Sequence, residues 1–315
     1  MLGENNIESN AGDLAPAHLV KLYNSGVNIS QYLRSRHGVE QNSSEIIELA
    51  YELQAGSYVQ RLEDPAVYEF QQGYTDRIAR EIAALCAPVS VLEAGVGEAT
   101  TLGFVARKLG VGPAYHGFDL SWSRVATGRK WLRSLPVGNV SLCTGDLAAM
   151  PYADDSIDVV YTSHSIEPNG GREAQILTEL HRVAARYLVL FEPDYENASP
   201  EAQARMREHG YCVDLVGTAQ RLGMEVVRHE FLPASINPLN PTGLTIIRKS
   251  DRPARAAPAE AVYACPVART PLRRVEGAYF SPDSLLAYPV IDGVPCLREK
   301  QAIVCCKLKD IAGPA

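Results

Sequence analysis

The amino-acid sequence predicts an α/β protein built on a doubly wound, mostly parallel sheet. Short apolar runs alternate with amphipathic segments between about residues 90 and 250. Such alternation is typical of strand–helix–strand units, in which helices cover both faces of a parallel sheet. Ligands of such sheets bind at the carboxyl ends of the strands, near the point where the strand order reverses. We therefore expect the functional residues where the apolar runs end.

Seven apolar runs predict the strands of this sheet. They are SVLEAG (90–95), AYHGFDL (114–120), NVSLCTGDL (139–147), SIDVVYTSH (156–164), RYLVLFEPD (186–194), EVVRHEFL (225–232) and GLTIIRKS (243–250). Helical periodicity fills the intervals between them. The predicted helices of the core are ATTLGFVARKLG (99–110), SRVATGRKWLRSL (123–135), REAQILTELHRVA (172–184) and a helix within GYCVDLVGTAQRLGM (210–224).

Composition changes on both sides of this core and predicts four regions. Residues 1–75 form a polar, frayed tail followed by a helical lid, and a helix from Tyr74 to Cys86 leads into the core. The core domain spans 76–250. DRPARAAPAE (251–260) is rich in proline and alanine, which indicates a linker. Turn signals between β-type runs then predict a small β-rich module over 261–315.

Charge and cysteine content limit the function classes. The chain has 315 residues, 46% of them apolar, and a net charge of −7, so it lacks the basic excess of a general nucleic-acid binder. No apolar run has the length of a membrane span, and the first residues lack the pattern of a secretory signal. None of the seven cysteines forms a C-x-x-C pair. We expect a cytoplasmic protein with reduced thiols, no membrane or nucleic-acid partner and a small-molecule substrate; a homo-oligomer is compatible with the sequence.

A glycine loop follows the first predicted strand in VLEAGVGEATT (91–101). Gly95 allows a tight turn, Gly97 allows a ligand to approach the backbone, and Ala99 is small enough for a helix to pack closely. A dinucleotide fingerprint needs a third glycine at position 100, which is Thr100 here. That difference, with Glu93 directly before the loop, argues against NAD and for another nucleotide.

Carboxylates end the next two predicted strands. Asp119 can accept hydrogen bonds from both hydroxyls of a ribose, or it can cap the helix that starts near Ser121. Asp146 can accept a hydrogen bond from an adenine amino group, or it is a turn residue. Met150 and Tyr152 can flank the base, or Met150 fills the core.

These motifs, in this order, resemble class I S-adenosylmethionine (SAM)-dependent methyltransferases over roughly residues 80–250: VLEAGVGEAT, HGFDLS, TGDLAAMPYADDSIDVVYTSHSIE and RYLVLFEPDYE. The resemblance implies a seven-stranded Rossmann-like sheet whose last strand is antiparallel, and SAM as cofactor. It implies the methionine part of SAM beside Glu93, Ala94, Gly95 and Gly97, the ribose at Asp119 and Leu120, the adenine at Asp146 and Leu147, and Ser163 and His164 under the sulfonium.

The C-terminal module resembles the small zinc-ribbon-like domain found in activators of tRNA and protein methyltransferases. CPVARTPL and YFSPDSLLAYPVIDGVPCLREKQAI carry this resemblance. The pattern often contains C-P-x-C, but Ala268 stands at the second cysteine position. Cys265 and Cys296 alone do not supply the four ligands of a structural zinc site. We therefore expect a metal-free module that packs on the core domain or covers it.

Candidates for the chemistry lie on one loop and on the lid. His164 and Glu167, after the fourth predicted strand, are candidate catalytic bases, although His164 is equally explained as a structural imidazole. Tyr58 is a further catalytic candidate and Tyr51 a further cofactor contact, because aromatic faces attract a sulfonium cation. Either tyrosine is also explained as a core aromatic. Glu192, at the end of the fifth strand, either points to this edge or pairs with a nearby arginine.

Three functions remain open. The first is methyl transfer to a small metabolite in sugar or natural-product biosynthesis, since the acidic chain favours a small acceptor over tRNA. The second is cyclisation of SAM itself to azetidine-2-carboxylate with release of methylthioadenosine, because the order of lid, core and module is similar to that of azetidine-2-carboxylate synthases. The third is a non-catalytic SAM-fold subunit, which the intact glycine loop and the two carboxylates argue against. NAD-dependent oxidoreduction fits least.

Overall fold

A seven-stranded sheet forms the centre of the structure, a computed structural model that describes residues 15–232, 237–252 and 262–308. Its strands are β1 (Ser90–Ala94), β2 (Ala114–Asp119), β3 (Val140–Thr144), β4 (Ile157–Ser163), β5 (Ala184–Pro193), β6 (Glu225–Leu232) and β7 (Thr242–Arg248). The strand order is β3-β2-β1-β4-β5-β7-β6, and β7 is antiparallel to both of its neighbours. The predicted fold class, including the antiparallel last strand, is confirmed.

Ten α-helices surround the sheet in the described part of the chain. They are α1 (Pro16–Asn24), α2 (Ile29–His37), α3 (Ser44–Glu52), α4 (Ser57–Arg61), α5 (Pro65–Leu85), α6 (Thr100–Leu109), α7 (Trp122–Leu132), α8 (Glu173–Val183), α9 (Pro200–Glu208) and α10 (Leu215–Arg221). None of these helices combines the length and hydropathy that a bilayer crossing requires.

Alternate residues of the central strands enter two separate cores. Leu92 and Val160 pack with α8 and α10 on one face, whereas Val91 and Val159 pack with α5, α6 and α7 on the other. Both faces of β1 and β4 are therefore buried, which explains why these strands appear in the sequence as mostly apolar runs without alternation.

Two helices differ from the sequence prediction. The helix expected from Tyr74 begins at Pro65 instead, because Asp64 caps it by accepting a 2.8 Å hydrogen bond from the Ala66 N–H. The helix α9 was not predicted. It buries only Ala202 and Met206, so it carries little apolar periodicity.

The lid and the linker are described in part. Helices α1–α3 share a small core that includes Leu19, Ile29, Leu33 and Ile46. The frayed tail expected at the N-terminus falls mainly on residues 1–14, outside the described residues. The linker expected at 251–260 falls mostly on 253–261, which are also outside them.

The C-terminal module contains a second, antiparallel sheet. Its strands are β8 (Arg273–Val275), β9 (Ala278–Ser281), β10 (Leu286–Ile291), β11 (Val294–Pro295) and β12 (Ile303–Val304). The ring centroids of Tyr263 in the module and Tyr152 in the core domain are 5.6 Å apart within one shared core. Among the described residues, no three His, Cys, Asp or Glu side chains lie together as metal ligands.

Candidate active site

A cleft opens at the carboxyl ends of β1, β2 and β4, where the strand order reverses between β1 and β4. We call it the cofactor cleft. Twelve of the thirteen predicted site residues line it: Tyr51, Tyr58, Glu93, Gly95, Gly97, Asp119, Leu120, Asp146, Leu147, Ser163, His164 and Glu167. Ala94 does not line it, because its side chain is fully buried. The fold thus brings the predicted residues together, while the role of each stays a prediction.

The glycine loop is tightly packed against its neighbours. Gly95 and Gly97 have φ angles of +78° and +53°, a left-handed region that favours glycine. A Cβ atom on Gly95 would lie 2.3 Å from Ser165 Cβ, and one on Gly97 would lie 2.5 Å from a guanidinium nitrogen of Arg124. The loop therefore has room for its own backbone and for a ligand beside it, but not for larger side chains.

Asp119 ties this loop to the start of α7. Its Oδ2 accepts a 3.0 Å hydrogen bond from the Gly97 N–H, and its Oδ1 accepts a 2.9 Å bond from the Ser121 N–H. The N-cap of α7 is Ser121, whose hydroxyl oxygen accepts from the Arg124 N–H. Asp119 therefore orders the cleft rather than capping the helix, and its carboxylate faces the cleft.

Asp146 and Leu147 line the next part of the cleft. Asp146 accepts a 2.9 Å hydrogen bond from the Ala148 N–H, as a turn residue does, so the two interpretations of this residue are compatible. Met150 and Tyr152 do not flank this site. Both are fully buried in the core shared with the C-terminal module, so the expectation that they contact a base is wrong.

Glu93 carries a neutral or readily protonated carboxyl group. Its side chain is 2% exposed and accepts a 2.8 Å hydrogen bond from the Tyr161 hydroxyl. Burial raises the pKa of Glu93 to about 8, and the Tyr161 bond offsets only part of that effect. A cation bound in the cleft would favour the ionised form of this carboxyl.

His164 is held by two side chains. Its Nδ1 is 2.9 Å from Glu167 Oε2, and its Nε2 is 2.8 Å from Thr242 Oγ1. Burial lowers the pKa of His164, but the hydrogen bond to Glu167 and the charges of Glu167 and Glu192 together outweigh it, so the pKa is raised overall. The imidazolium form is thereby favoured. The pair can hold a proton at the edge of the cleft, with Glu167 as its acidic partner.

Glu192 fixes the backbone of the loop that carries these residues. Its carboxylate accepts hydrogen bonds from the N–H groups of Ser165 (3.0 Å), Ile166 (3.2 Å) and Glu167 (3.2 Å). Burial raises the pKa of Glu192 to about 7. The carboxyl therefore points to the predicted edge, and the alternative of an arginine partner is not what the structure shows.

Arg124 is a cleft residue that the sequence did not indicate. Its guanidinium carbon lies 5.1 Å from the ring centroid of Tyr51 and 4.6 Å from that of Tyr58. The side chain is 7% exposed, and its Nε has no hydrogen-bond partner among the described residues. The two lid tyrosines therefore enclose a cation over the glycine loop, and a buried donor remains for a ligand.

Glu98 attaches the lid to the glycine loop, and the sequence did not indicate this residue either. Its carboxylate accepts hydrogen bonds from the N–H groups of Gly56 (2.9 Å), Tyr58 (3.3 Å) and Val59 (2.8 Å). Glu98 is 1% exposed, so these bonds compensate a buried charge. The position of Tyr58 over the cleft depends on this contact.

We expect Glu98→Gln to loosen the lid, because an amide accepts weaker hydrogen bonds than a carboxylate and offers only one acceptor oxygen. Amide hydrogen exchange at residues 56–59 should accelerate about tenfold or more. The matched control is Glu63→Gln, at an exposed position of the same segment, which should leave exchange unchanged. Equal protection in both variants would contradict the contact.

A second cavity adjoins the cofactor cleft beneath the lid. Tyr51, Tyr58, Glu167 and Pro168 line both spaces and form the boundary between them. The remaining lining comes from α1–α3 and from the turn after α9, and it includes Tyr23, Asn28, Ser30, Gln54, His209 and Tyr211. This cavity offers aromatic faces and hydrogen-bonding groups next to the His164–Glu167 pair.

Comparison with known proteins agrees with the fold. Residues 91–186 match the family model described as a methyltransferase domain. This segment runs from β1 to β5 and contains the glycine loop, Asp119, Asp146 and the His164–Glu167 pair. The fold is that of Rossmann-like methyltransferases, and residues 91–186 resemble a methyltransferase domain, whose cofactor is SAM.

Individual relatives are distant. An uncharacterised 37.1 kDa protein in transposon TN4556 of Streptomyces fradiae is 33% identical over 110 residues, which cover 34% of this chain and 31% of that protein. Magnesium protoporphyrin IX methyltransferase from Synechocystis PCC 6803, solved with bound S-adenosylhomocysteine (SAH), is 14% identical with a TM-score of 0.51, covering 66% of this chain and all of that one. A SAM-dependent methyltransferase from Aquifex aeolicus is 19% identical with a TM-score of 0.45, covering 61% and 96%.

Proposed function

We propose that the protein transfers the methyl group of SAM to a small-molecule acceptor bound in the second cavity, in the biosynthesis of a sugar or a natural product. The observation that carries this proposal is the shared boundary of the two spaces at Tyr51, Tyr58 and Glu167. An acceptor in the second cavity would meet the cofactor at this boundary, beside a group that can take a proton.

The chain's own residues supply positioning and proton transfer. When bound, SAM provides an activated methyl group on a sulfonium that is already a good leaving group. The glycine loop and Asp119 hold the cofactor side, and the lid excludes water. The rings of Tyr51 and Tyr58 hold the guanidinium of Arg124, whose Nε remains a donor for the cofactor. Glu167, shared by both spaces and bonded to His164, is positioned to accept the proton that an acceptor hydroxyl or amine loses.

Cyclisation of SAM is a second candidate, favoured by Glu167, a proton acceptor within the cofactor cleft. In that reaction the amino nitrogen of SAM forms a bond to its own γ-carbon, and the carbon–sulfur bond breaks. Methylthioadenosine leaves with the bonding electrons, and the proton lost by the amine passes to Glu167. This route needs no second cavity.

One assay separates these candidates. The protein is incubated with SAM, alone and with pools of small acceptors, and the products are identified by mass spectrometry. SAH that forms only with an acceptor supports methyl transfer. Methylthioadenosine and a cyclic imino acid from SAM alone, above the nonenzymatic rate, support cyclisation instead. Binding without turnover in every pool would favour a non-catalytic subunit and contradict both reactions.

Tyr211→Ala gives a sharper test, because Tyr211 lines the second cavity and not the cofactor cleft. For methyl transfer we expect the acceptor's kcat/KM to fall about tenfold, which corresponds to about 1.4 kcal/mol of lost contact. The affinity for SAH should stay within about twofold. An unchanged acceptor kcat/KM would contradict the assignment of the second cavity to the acceptor.

A further inference from the structure

Residues 296–301 of the C-terminal module contact the core domain directly beside the cofactor cleft. Cys296 pairs in parallel with Thr144 at the end of β3, and the Leu297 N–H donates to the Thr144 carbonyl at 3.3 Å. The Thr144 hydroxyl donates a 2.6 Å hydrogen bond to the side chain of Gln301. The next two residues of the core domain are Gly145 and Asp146, which line the cleft. The module thus extends the sheet edge where the predicted adenine site begins.

Arg298 lies at the centre of this segment. Its side chain is 4% exposed, and its Nη1 donates a 3.1 Å hydrogen bond to the carbonyl of Leu120. The same guanidinium forms an ion pair with Glu48 of α3. Leu120 lines the cofactor cleft directly after Asp119. One buried side chain of the module therefore contacts both the predicted ribose side of the cleft and the lid.

Because Arg298 is buried, the loss of any of these contacts would cost considerable free energy. A guanidinium taken out of water is costly unless its charge is paired and its donors are bonded in good geometry. The partners available to Arg298 are the Glu48 carboxylate and the Leu120 carbonyl, so both are held close to it. The lid helix α3 also ends near Tyr51 and Glu52, and Glu52 accepts a hydrogen bond from the hydroxyl of Ser121. Module, lid and the Asp119–Ser121 turn form one connected unit.

We infer that the C-terminal module is part of the cofactor-binding unit and that Arg298 is its positioning residue. Arg298 holds the Leu120 backbone and α3 in the arrangement that binds SAM, although none of the module's described residues lines the cleft itself. This inference rests on SAM as the cofactor. It does not depend on which reaction follows, because cofactor binding precedes either one.

The test is the affinity of Arg298→Met for SAH, measured by titration calorimetry on the full-length protein. Methionine keeps much of the apolar stem but removes the charge and the donors. We expect the dissociation constant to rise tenfold or more, or about 1.4 kcal/mol. Arg298→Lys keeps the charge but not the planar set of guanidinium donors, so its dissociation constant for SAH should lie between those of the wild type and Arg298→Met. Glu48→Gln in the Arg298→Met background should add little, because both residues act through one contact.

Arg273→Met is the matched control, since Arg273 is an exposed arginine of β8 in the same module. It should bind SAH as the wild type does. A purely structural role predicts a different result: Arg298→Met would lower the unfolding temperature while the folded fraction binds SAH with wild-type affinity, and this would overturn the inference. If Arg298→Met does not fold, Arg298→Lys and Glu48→Gln decide, and wild-type affinity in both would overturn it. Failure of the wild type to bind SAH would instead refute the cofactor assignment.

Discussion

Gly95→Ala is expected to abolish measurable SAH binding. The new Cβ would lie 2.3 Å from Ser165 Cβ and 2.8 Å from Ser165 Oγ, so the loop or the β4 end must move. Alanine is also strained at a φ of +78°, at a cost of roughly 1–2 kcal/mol. Clash and strain act on the same turn that Asp119 holds through Gly97, and we expect an affinity loss of at least about 100-fold, or 2.7 kcal/mol.

Two variants separate the clash from the strain. Gly223→Ala meets no atom within 4 Å at a φ of +74°, so it should cost only the strain and leave SAH affinity unchanged. Adding Ser165→Gly to Gly95→Ala removes the clashing Cβ and should recover part of the binding. Calorimetric titration with SAH measures all three. Wild-type affinity in Gly95→Ala would show that the loop is not the cofactor cradle.

The strands of the core domain were predictable because burial on both faces leaves a direct trace in the sequence. Val91 and Leu92 enter opposite cores, so the residues of β1 are apolar or, like Ser90 and Glu93, have side chains that form hydrogen bonds. Helix α9 left no such trace, since most of its surface is exposed. The early start of α5 depends on the Asp64 cap, a local signal that the weak apolar pattern before Tyr74 concealed.

Some cleft residues could be predicted from the sequence, and others could not. Asp119 ends strand β2 and Asp146 follows strand β3. Since the ends of parallel strands meet at one edge of the sheet, their positions in the sequence were enough to place both residues at the cleft. Glu98 and Arg124 gain their roles from contacts with the lid, about 40 and 70 residues away along the chain. Arg298 is 178 residues from Leu120. A local sequence pattern does not predict such contacts, because they form between segments that are far apart in the chain.

Glu93→Gln is expected to remove a pH-dependent preference for SAM over SAH. Burial raises the pKa of Glu93 from 4.5 to about 8, so at neutral pH the free protein holds this carboxyl largely protonated. The sulfonium of SAM favours the ionised form, whereas the uncharged sulfur of SAH does not. The free-energy cost of ionising Glu93 on SAM binding falls by up to about 1.4 kcal/mol for each pH unit as the pH rises towards about 8. The affinity ratio of SAM to SAH should therefore rise with pH, severalfold and at most about tenfold per unit.

The raised pKa of Glu93 also determines how the free energy of unfolding changes with pH. A carboxyl whose pKa is raised on folding contributes stability that is complete below the unfolded pKa and is lost as the pH rises through the folded one. The unliganded wild type should thus lose stability from about pH 4.5 to about pH 8, by an amount of order a few kcal/mol, and Glu93→Gln should lose less.

Calorimetric titrations with SAM and with SAH, between about pH 6 and 7.5, isolate the Glu93 contribution as the difference between wild type and Glu93→Gln. Glu192 and His164 also have raised pKa values near the cleft, but both remain in the variant and cancel in that difference. Burial lowers the pKa of His116 to about 4, so that imidazole does not titrate in the same window. A flat SAM-to-SAH ratio in the wild type would mean that the sulfonium does not lie near Glu93. An equal slope in Glu93→Gln would assign the effect to other groups near the cleft, of which Glu192 and His164 have raised pKa values.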